Sequence, residues 1–320
     1  MDTALSDSVP DLAMIERAQV RIAAHARRTP VMRSRSLDAL AAAELHFKCE
    51  NFQRAGAFKF RGACNAVWSL GEELAVRGVV THSSGNHGAA LALAARTRGI
   101  GAHVVVPEGA VQSKVAAIEA FGAILHRCAP TMAAREAAAE RVRAATGATL
   151  IHPYTDPAVI AGQGTAALEL FDEAGTLDAL VAPIGGGGLI GGSAIVAAAR
   201  APTAKIYAAE PEGAADACES LRRGERVTAL VPDTICDGLR GLIGPVNFVL
   251  LQRHHVTVLP VGDGDTVAAM RLIWDRMKII IEPSAAIALA AVLRHRQRFA
   301  GCRTGLILSG GNVDLDQLPW

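Results

Sequence analysis

Short apolar runs rich in β-branched residues alternate along the chain with alanine-rich stretches whose apolar positions recur at helical spacing. Eight of these runs are predicted to be strands: residues 45–50, 78–83, 102–107, 123–128, 179–184, 205–210, 255–261 and 305–310. Helices are predicted between them, notably over residues 88–99, 113–122, 133–147 and 282–299. This alternation indicates an α/β fold with open, mostly parallel sheets that helices cover on both faces.

The length of 320 residues is sufficient for two domains with well-buried cores. Residues 77–148 form a compact run of alternating strands and helices, which predicts a small domain inserted into a larger one. The large domain would then consist of residues 1–76 and 149–320.

Composition narrows the class of protein. The formal net charge of +1 and the aromatic content of 4% do not suit a nucleic-acid surface. The six cysteines are scattered and include no CxxC pair, which is typical of free thiols in a reducing compartment. The acidic amino-terminal stretch does not resemble a signal peptide, and no apolar run predicts a membrane span. A cytoplasmic protein without a membrane or nucleic-acid partner is therefore expected.

Segments that are rich in glycine or in polar residues, and that carry the candidate binding and catalytic residues, follow the predicted strands. They are AGAFK, SSGNHG, PIGGGGLIGG, EPEGAAD and SGGN. In open α/β sheets, ligands bind outside the carboxyl ends of the strands. These segments therefore predict one shared cleft.

The segment FQRAGAFKFRGA places Lys59 between Phe58 and Phe60. Apolar neighbours lower the pKa of a lysine, because they disfavour its charged form. Lys59 is either a surface lysine at the start of an amphipathic helix or an amine that forms a Schiff base with a carbonyl cofactor. The segment alone does not decide between these interpretations.

The segment GGGGLIGG, residues 185–192, joins a predicted strand to an alanine-rich helix, so its backbone N–H groups can converge on an anion. Gly186, Gly188 and Gly191 also satisfy the dinucleotide pattern GxGxxG, and Glu210 lies 19 residues beyond Gly191. Four successive glycines favour a compact phosphate monoester over a dinucleotide. A purely structural turn is the third interpretation.

Two further loops complete the predicted cleft. In SSGNHG, exposed amides can hold a substrate carboxylate and Asn86 can bond a ring oxygen, although Ser and Asn are also ordinary helix caps. The His87 side chain is given no catalytic role. In SGGN, Ser309 is either a turn residue or a neutral partner for a pyridine nitrogen, which would make the ring a mild electron sink suited to β-elimination.

Taken together, these segments resemble the serine/threonine dehydratase and serine racemase family of pyridoxal-phosphate enzymes, which have the tryptophan-synthase-β fold (fold type II). The resemblance runs in order from about residue 15 to the carboxyl terminus. It rests on FKCENFQRAGAFKFRGA, THSSGNHGAALALAA, VVPEGAVQSKVAAIEAFGA, HPYTDPAVIAGQGT, APIGGGGLIGG, AAEPEGAAD, MKIIIEPSAAIALA and LILSGGNVDLDQLPW. It implies two open, twisted, mostly parallel sheets in a large and a small domain.

The resemblance also implies roles for individual residues. Lys59 would hold the cofactor and take the α-proton, and Ser84 would be the acid or base on the opposite face in a racemase. The cofactor would otherwise contact Phe58, Asn86, Gly185, Gly186, Gly187, Gly188 and Ser309. The substrate carboxylate would lie on Ser83, Ser84, Gly85, Asn86 and His87. A divalent cation (Mg²⁺, Ca²⁺ or Mn²⁺) would bind the carboxylates of Glu210 and Asp216 and the carbonyl of Ala214.

The expected activity is an ammonia-lyase, or dehydratase, that removes water from small β-hydroxy amino acids to give a keto acid and ammonia. Where the family commonly has serine before Phe-Lys, this chain has Ala57, as in the 3-hydroxyaspartate dehydratase branch that it resembles. 3-Hydroxyaspartate is therefore expected to be preferred over serine and threonine. Its second carboxylate needs a cationic or multi-donor partner, for which the candidates are Arg135, His152, Tyr154 and Arg240.

Three other functions remain open at this point. They are racemisation of serine or aspartate on the same scaffold, an NAD-dependent oxidoreductase built on GxGxxG, and a non-catalytic binding protein. A homodimer is expected by analogy with the fold type.

Overall fold

A computed structural model describes residues 9–320; residues 1–8, the first part of the predicted large domain and of the acidic amino-terminal stretch, lie outside the described residues. The described part contains thirteen α-helices and ten strands. The helices are α1 (Leu12–Ile22), α2 (Arg35–Ala41), α3 (Lys59–Ser69), α4 (Glu72–Ala75), α5 (Asn86–Arg98), α6 (Gln112–Ala120), α7 (Met132–Thr146), α8 (Pro157–Ala174), α9 (Gly188–Arg200), α10 (Asp216–Arg223), α11 (Pro245–Arg253), α12 (Asp263–Met277) and α13 (Pro283–Arg294). The strands are β1 (Val31–Met32), β2 (Glu44–Cys49), β3 (Val79–His82), β4 (Ala102–Pro107), β5 (Ile124–Cys128), β6 (Thr149–Leu150), β7 (Ala179–Pro183), β8 (Lys205–Pro211), β9 (Thr257–Val261) and β10 (Arg303–Leu308).

The strands form two sheets. One has six strands in the order β1-β2-β10-β7-β8-β9, and the other has four in the order β5-β4-β3-β6. Every pairing is parallel except that of β1 with β2. The predicted α/β fold with two mostly parallel sheets is confirmed.

The eight strands predicted from the sequence are present as β2–β5 and β7–β10. The two missed strands, β1 and β6, have two residues each and are too short to show a hydrophobic period. One loop differs from prediction: AGAFK does not follow β2 directly, because the 3₁₀ turn Glu50–Phe52 intervenes, and a second turn, Arg54–Gly56, includes the first two residues of AGAFK.

The four-stranded sheet lies within residues 79–150, close to the predicted small domain of residues 77–148. However, β6 pairs with β3, so this sheet extends two residues beyond the predicted boundary. The division into a large domain of residues 1–76 and 149–320 and a small one stays a prediction.

The six-stranded sheet separates two hydrophobic cores. In its central strand β10, Leu306 and Leu308 face one core and Ile307 faces the other, as the alternation of side chains along a strand requires. Helices α8 and α13 are buried along most of their length, which explains their nearly unbroken runs of apolar and small residues. Both faces of the sheet are therefore covered.

The sequence predicts neither a membrane-spanning segment nor a disulfide framework, and the structure bears on both predictions. None of the helices in residues 9–320 is long and apolar enough to cross a bilayer. All six cysteines are free thiols, as predicted.

A buried ion network anchors the segment that leads to Lys59. Arg61 is fully buried, and its guanidinium donates to both oxygens of Glu50 at 2.7 and 2.8 Å and to both oxygens of Glu169 at 2.8 and 2.7 Å. Lys48, also fully buried, contacts Glu169 at 2.6 Å and donates to the carbonyl oxygen of Thr29 at 2.5 Å. Two cations thus balance two carboxylates, which satisfies the charges where water is absent.

We expect Arg61→Met to destabilise the protein by about 3–5 kcal/mol, because it leaves two buried carboxylates facing a single lysine. Urea denaturation of the cofactor-free protein measures the loss. Arg222→Met is the matched control, since Arg222 pairs with Glu219 on the surface. Equal denaturation midpoints for the two variants would contradict the role assigned to the network.

Candidate active site

Backbone bonds fix Lys59 against the carboxyl end of β10. Lys59 is the first residue of α3, and the amide of the preceding residue, Phe58, donates to the carbonyl oxygen of Ser309 at 2.9 Å. Ala57 forms an isolated bridge with Gly310, and the amide of Gly311 donates to Gly56 at 2.9 Å. Two segments some 250 residues apart in sequence therefore meet as one short ladder at the sheet edge.

The Lys59 amine lies in an apolar setting. Nζ donates to the carbonyl oxygen of Pro153 at 3.0 Å and lies 5.0 Å from the centroid of the Phe58 ring. Burial lowers the pKa of Lys59 to about 8, and the negative charge of Glu282 opposes this shift. With a pKa of about 8, roughly a tenth of Lys59 is the neutral amine at pH 7, and this is the form that attacks a carbonyl group.

The glycine run between β7 and α9 is packed too closely against its neighbours to carry side chains. A Cβ on Gly185 would lie 2.8 Å from Cα of Leu239, and a Cβ on Gly186 would lie 2.3 Å from the Tyr154 ring. Gly187 has φ of +93° and occupies the N-cap of α9, with no side chain to cap the first amides. These free amides at a helix amino terminus suit a phosphate group. Gly188 is the first residue of that helix.

The loop SSGNHG has the same arrangement at a second helix. It joins β3 to α5, with Gly85 at the N-cap, so no side chain caps the first turn. Ser83, Ser84, Gly85 and Asn86 are partly exposed, which leaves the loop open to a carboxylate. The alternative that Ser or Asn caps this helix is therefore wrong.

Ser309 and Asn86 are held by neighbours that the sequence did not single out. The Ser309 hydroxyl donates to the carbonyl oxygen of Ser284 at 3.3 Å. The Asn86 amide donates to both carboxylate oxygens of Glu282 at 2.9 and 3.1 Å, and its oxygen accepts from Asn312 at 3.0 Å. Glu282 thus fixes the orientation of the amide that is predicted to bond the cofactor ring.

Glu282 was missed by sequence reasoning. It is 3% exposed, and burial, reinforced by the nearby Asp237, raises its pKa to about 7. The signal was present in IIIEPSA, where a single acidic residue interrupts an apolar run before a proline. Asn247 was missed as well; its amide donates to the carbonyl oxygens of Tyr154 and Gly186 and so ties the glycine run to HPYTDP.

Three histidines line the same region and remain uncharged. His82 and His152 have ring centroids 5.2 Å apart, and burial lowers the pKa of both, that of His152 to about 3. His87 is buried with neither ring nitrogen hydrogen-bonded within residues 9–320, and its pKa is well below the usual value because of burial and the nearby Lys59. These groups form a neutral wall beside the amine.

The tautomer of His152 is set by the backbone. Its Nδ1 accepts from the amide of Thr155 at 3.1 Å and faces the amide of Tyr154 at 3.4 Å. In the neutral ring the proton must then be on Nε2. His152 therefore carries a fixed N–H donor close to Lys59.

The two candidate arginines differ in their surroundings. Arg135 on α7 is partly buried and has no carboxylate of residues 9–320 within salt-bridge distance; its Nε is buried without a hydrogen-bond partner there. Burial dominates the lowered pKa of His82, while the neighbouring Glu136 raises this pKa and Arg135 lowers it to a lesser extent. Arg240 is exposed and donates through Nε and Nη2 to the carbonyl oxygen of Thr234 at 3.2 and 2.6 Å. The unpaired cation beside the histidines is therefore Arg135.

The segment EPEGAAD begins in β8 and brings two buried carboxylates together. Glu210, 1% exposed, accepts from the amides of Ala217 and Cys218 at 2.7 and 2.9 Å, while Asp216, 2% exposed, accepts from Ile243 at 2.7 Å. Burial raises the pKa of Glu210 to about 8 and that of Asp216 to about 6. The described residues contain no group of three or more His, Cys, Asp or Glu side chains able to hold a metal. Ala214, also buried, lies between the two carboxylates in sequence.

This set of groups defines a class of protein. Four groups fit the parts of pyridoxal phosphate. The Lys59 amine suits its aldehyde, the free amides of the glycine run its phosphate, the Ser309 hydroxyl its ring nitrogen and the oriented Asn86 amide its ring hydroxyl. The class that the fold and these groups define is an α/β enzyme whose site can accept a carbonyl cofactor beside a lysine.

Comparison with known proteins identifies the family. The sequence profile described as "Pyridoxal-phosphate dependent enzyme" matches residues 22–310, and the chain belongs to this family. It is 46% identical to the beta-hydroxyaspartate dehydratase of Paracoccus denitrificans over 95% of this chain and 96% of that protein. It is also 46% identical to the serine racemase of Arabidopsis thaliana, over 96% of this chain and 95% of that protein.

The solved structure of maize serine racemase superimposes with a TM-score of 0.94 at 44% identity, covering 96% of this chain and 95% of that one. The fold is that of the fold-type-II pyridoxal-phosphate enzymes. Family membership also decides against the dinucleotide interpretation of GxGxxG.

Proposed function

We propose that the protein is a pyridoxal-phosphate-dependent ammonia-lyase that dehydrates 3-hydroxyaspartate to a keto acid and ammonia, and acts less well on serine and threonine. The observation that carries this substrate choice is the unpaired Arg135 guanidinium next to His82. In support, Arg135 acts electrostatically on His82, the His82 ring lies 5.2 Å from that of His152, and Lys59 acts electrostatically on His152. The likeness to the dehydratase of Paracoccus denitrificans supports the choice.

Bound pyridoxal phosphate withdraws electrons from the α-carbon of the amino acid attached to it. In this proposal Gly185–Gly188 hold the phosphate, Ser309 faces the ring nitrogen, Phe58 packs beside the ring, and Asn86, oriented by Glu282, bonds the ring hydroxyl. Lys59 then removes the α-proton, which its lowered pKa allows near neutral pH. The amides of Ser83–His87 hold the α-carboxylate.

The substrate's second carboxylate would form its ion pair with Arg135. A planar guanidinium meets a carboxylate through two hydrogen bonds, and the Nε of Arg135 is buried without a hydrogen-bond partner within residues 9–320. The substrate carboxylate would compete there with Glu136, which also acts on His82. The Nε2–H of His152 supplies a neutral donor on the same wall. The Tyr154 ring, which packs over Gly186, closes this wall against the glycine run. Arg240, bonded to Thr234 on the surface, is not part of this proposal.

We expect Arg135→Met to lower kcat/KM for 3-hydroxyaspartate by roughly 30- to 1,000-fold, or about 2–4 kcal/mol, because a desolvated charge pair is lost. Turnover of serine should barely change, since serine has no second carboxylate. Steady-state production of keto acid and ammonia from each substrate measures the effect.

Arg240→Met is the matched control and should leave both substrates unaffected, while Lys59→Ala sets the baseline without turnover. A wild-type preference for serine or threonine would overturn the substrate choice. Equal losses for both substrates in Arg135→Met would assign Arg135 to the fold instead.

Racemisation is the second candidate function, and the 46% identity to a plant serine racemase favours it. It needs an acid on the face opposite Lys59, for which the partly exposed Ser84 is the candidate.

We therefore expect Ser84→Ala to remove any interconversion of L- and D-serine while sparing most of the elimination from the L-substrate. Chiral chromatography and keto-acid assays on the same samples separate the two activities. A parallel fall in both would instead place Ser84 in carboxylate binding.

We further propose that Glu210, Asp216 and the carbonyl of Ala214 bind a divalent cation such as Mg²⁺. The supporting observation is that both carboxylates are buried and neither has a cationic side chain of residues 9–320 within salt-bridge distance. Oxygen donors of this kind suit Mg²⁺, Ca²⁺ or Mn²⁺. The cation would stabilise the turn between β8 and α10.

Without a cation, the raised pKa values give Glu210 and Asp216 a stability contribution that is lost as the pH rises through about 6 to 8. We therefore expect Mg²⁺ to raise Tm more at pH 8 than at pH 5, because it competes with fewer protons at pH 8. Thermal melts with Mg²⁺ and with EDTA measure this, with Asp216→Asn as the insensitive control. If neither Mg²⁺ nor EDTA changes the Tm of the wild-type protein at pH 8, the proposed cation site is contradicted.

A homodimer acting on small amino acids is proposed from the resemblance to fold-type-II enzymes. A cytoplasmic location and the absence of nucleic-acid and membrane partners stay predictions.

A further inference from the structure

Two histidines outside the active site lie together on the four-stranded sheet. His103 is on β4 and His126 is on the adjacent strand β5, which is an edge strand. In the parallel register Val105 is opposite His126 and His103 is opposite Ile124, so the two histidines are diagonal neighbours on one face. Both side chains are partly exposed.

Their ring nitrogens are at a separation that a metal ion can bridge. Nδ1 of His103 lies 3.0 Å from Nε2 of His126, and the rings are tilted by 42°. With metal–nitrogen bonds of about 2.1 Å, a right angle at the metal separates two ligand nitrogens by about 3.0 Å, whereas a tetrahedral angle requires about 3.4 Å. The separation of the two nitrogens thus matches that of adjacent ligands around a square-planar or octahedral metal ion.

The pair is also available as ligands at neutral pH. Burial and the neighbouring His126 lower the pKa of His103, so its ring stays uncharged. In the metal-free pair the N–H of one ring donates a hydrogen bond to the nitrogen of the other ring. When a metal binds, that proton moves to the other nitrogen of its own ring, so that both neutral rings present a lone pair to the ion. Only two imidazoles are supplied, which leaves the remaining positions of the ion to water.

We propose that His103 and His126 form a two-histidine site for a late first-row divalent cation, chiefly Ni²⁺ or Cu²⁺, on the edge of the four-stranded sheet. The imidazole ligands and the near-right angle favour these ions over Mg²⁺ or Ca²⁺, which prefer oxygen. Because the two ligands come from different strands, the bound ion clamps the edge strand β5 to β4. The site is independent of the proposed lyase activity.

NiCl₂ titration of the holoenzyme tests the proposal, with millimolar Mg²⁺ present throughout to occupy the Glu210 site. At saturating Ni²⁺ we expect Tm of the wild-type protein to rise by about 2–4 °C. His103→Gln and His126→Gln should each abolish the rise. His255→Asn, which removes an exposed histidine elsewhere, should retain it.

Hydrogen–deuterium exchange of the wild-type protein provides a second measurement that depends on no variant folding. Ni²⁺ should slow exchange in peptides covering residues 102–107 and 124–128 and leave those of β9 unchanged. A Ni²⁺-dependent rise in Tm that survives in both glutamine variants would overturn the proposal. So would wild-type exchange in β4 and β5 that does not respond to Ni²⁺.

Discussion

The fully buried guanidinium of Arg61 is the interaction on which the active site depends. It connects Glu50, at the end of β2, to Glu169 on α8, and it comes from the first turn of the helix that begins at Lys59. Between Glu50 and Lys59 the chain makes two short 3₁₀ turns, which the Gln53 amide closes on Glu50 and the Gly56 amide closes on Gln53. The ion network fixes their start, and the ladder of Ala57 with Gly310 fixes their end. The lysine amine is thereby positioned by charges on one side and by backbone bonds on the other.

Much of the fold could be predicted from the sequence, because parallel strands that are buried on both faces appear there as continuous apolar runs. The run AHVVVP coincides with β4 residue for residue. The two-residue strands β1 and β6 could not be read, since a hydrophobic period needs more residues than they contain. The end of α13 was placed too late for a related reason: RHRQR continues a helical pattern, but after Arg294 the chain tightens into a 3₁₀ turn.

The candidate site residues differ in how far the sequence alone indicates them. Lys59 and the glycine run could be proposed from the sequence because each is recognisable within a short segment, one as an amine among apolar residues and the other as successive residues without side chains. Glu282, Asn312 and Asn247 were not found, because their importance lies in partners distant in sequence. Choosing Arg135 over Arg240 likewise required knowing which guanidinium lacked a partner within residues 9–320, and periodicity carries no information about that.

The position of β10 has a consequence for how the protein is made. This strand is the last in the chain, yet it lies between β2 and β7 at the centre of the larger sheet, and it ends at Ser309. A chain emerging from the ribosome must therefore hold β2 and β7 apart, each with one unpaired edge, until residues 303–308 have been synthesised. Only then can the segment before Lys59 form its ladder with residues 309–311. A chain that stops before residue 303 lacks the strand that joins the two halves of the larger sheet, and its β2 and β7 edges remain open to wrong partners.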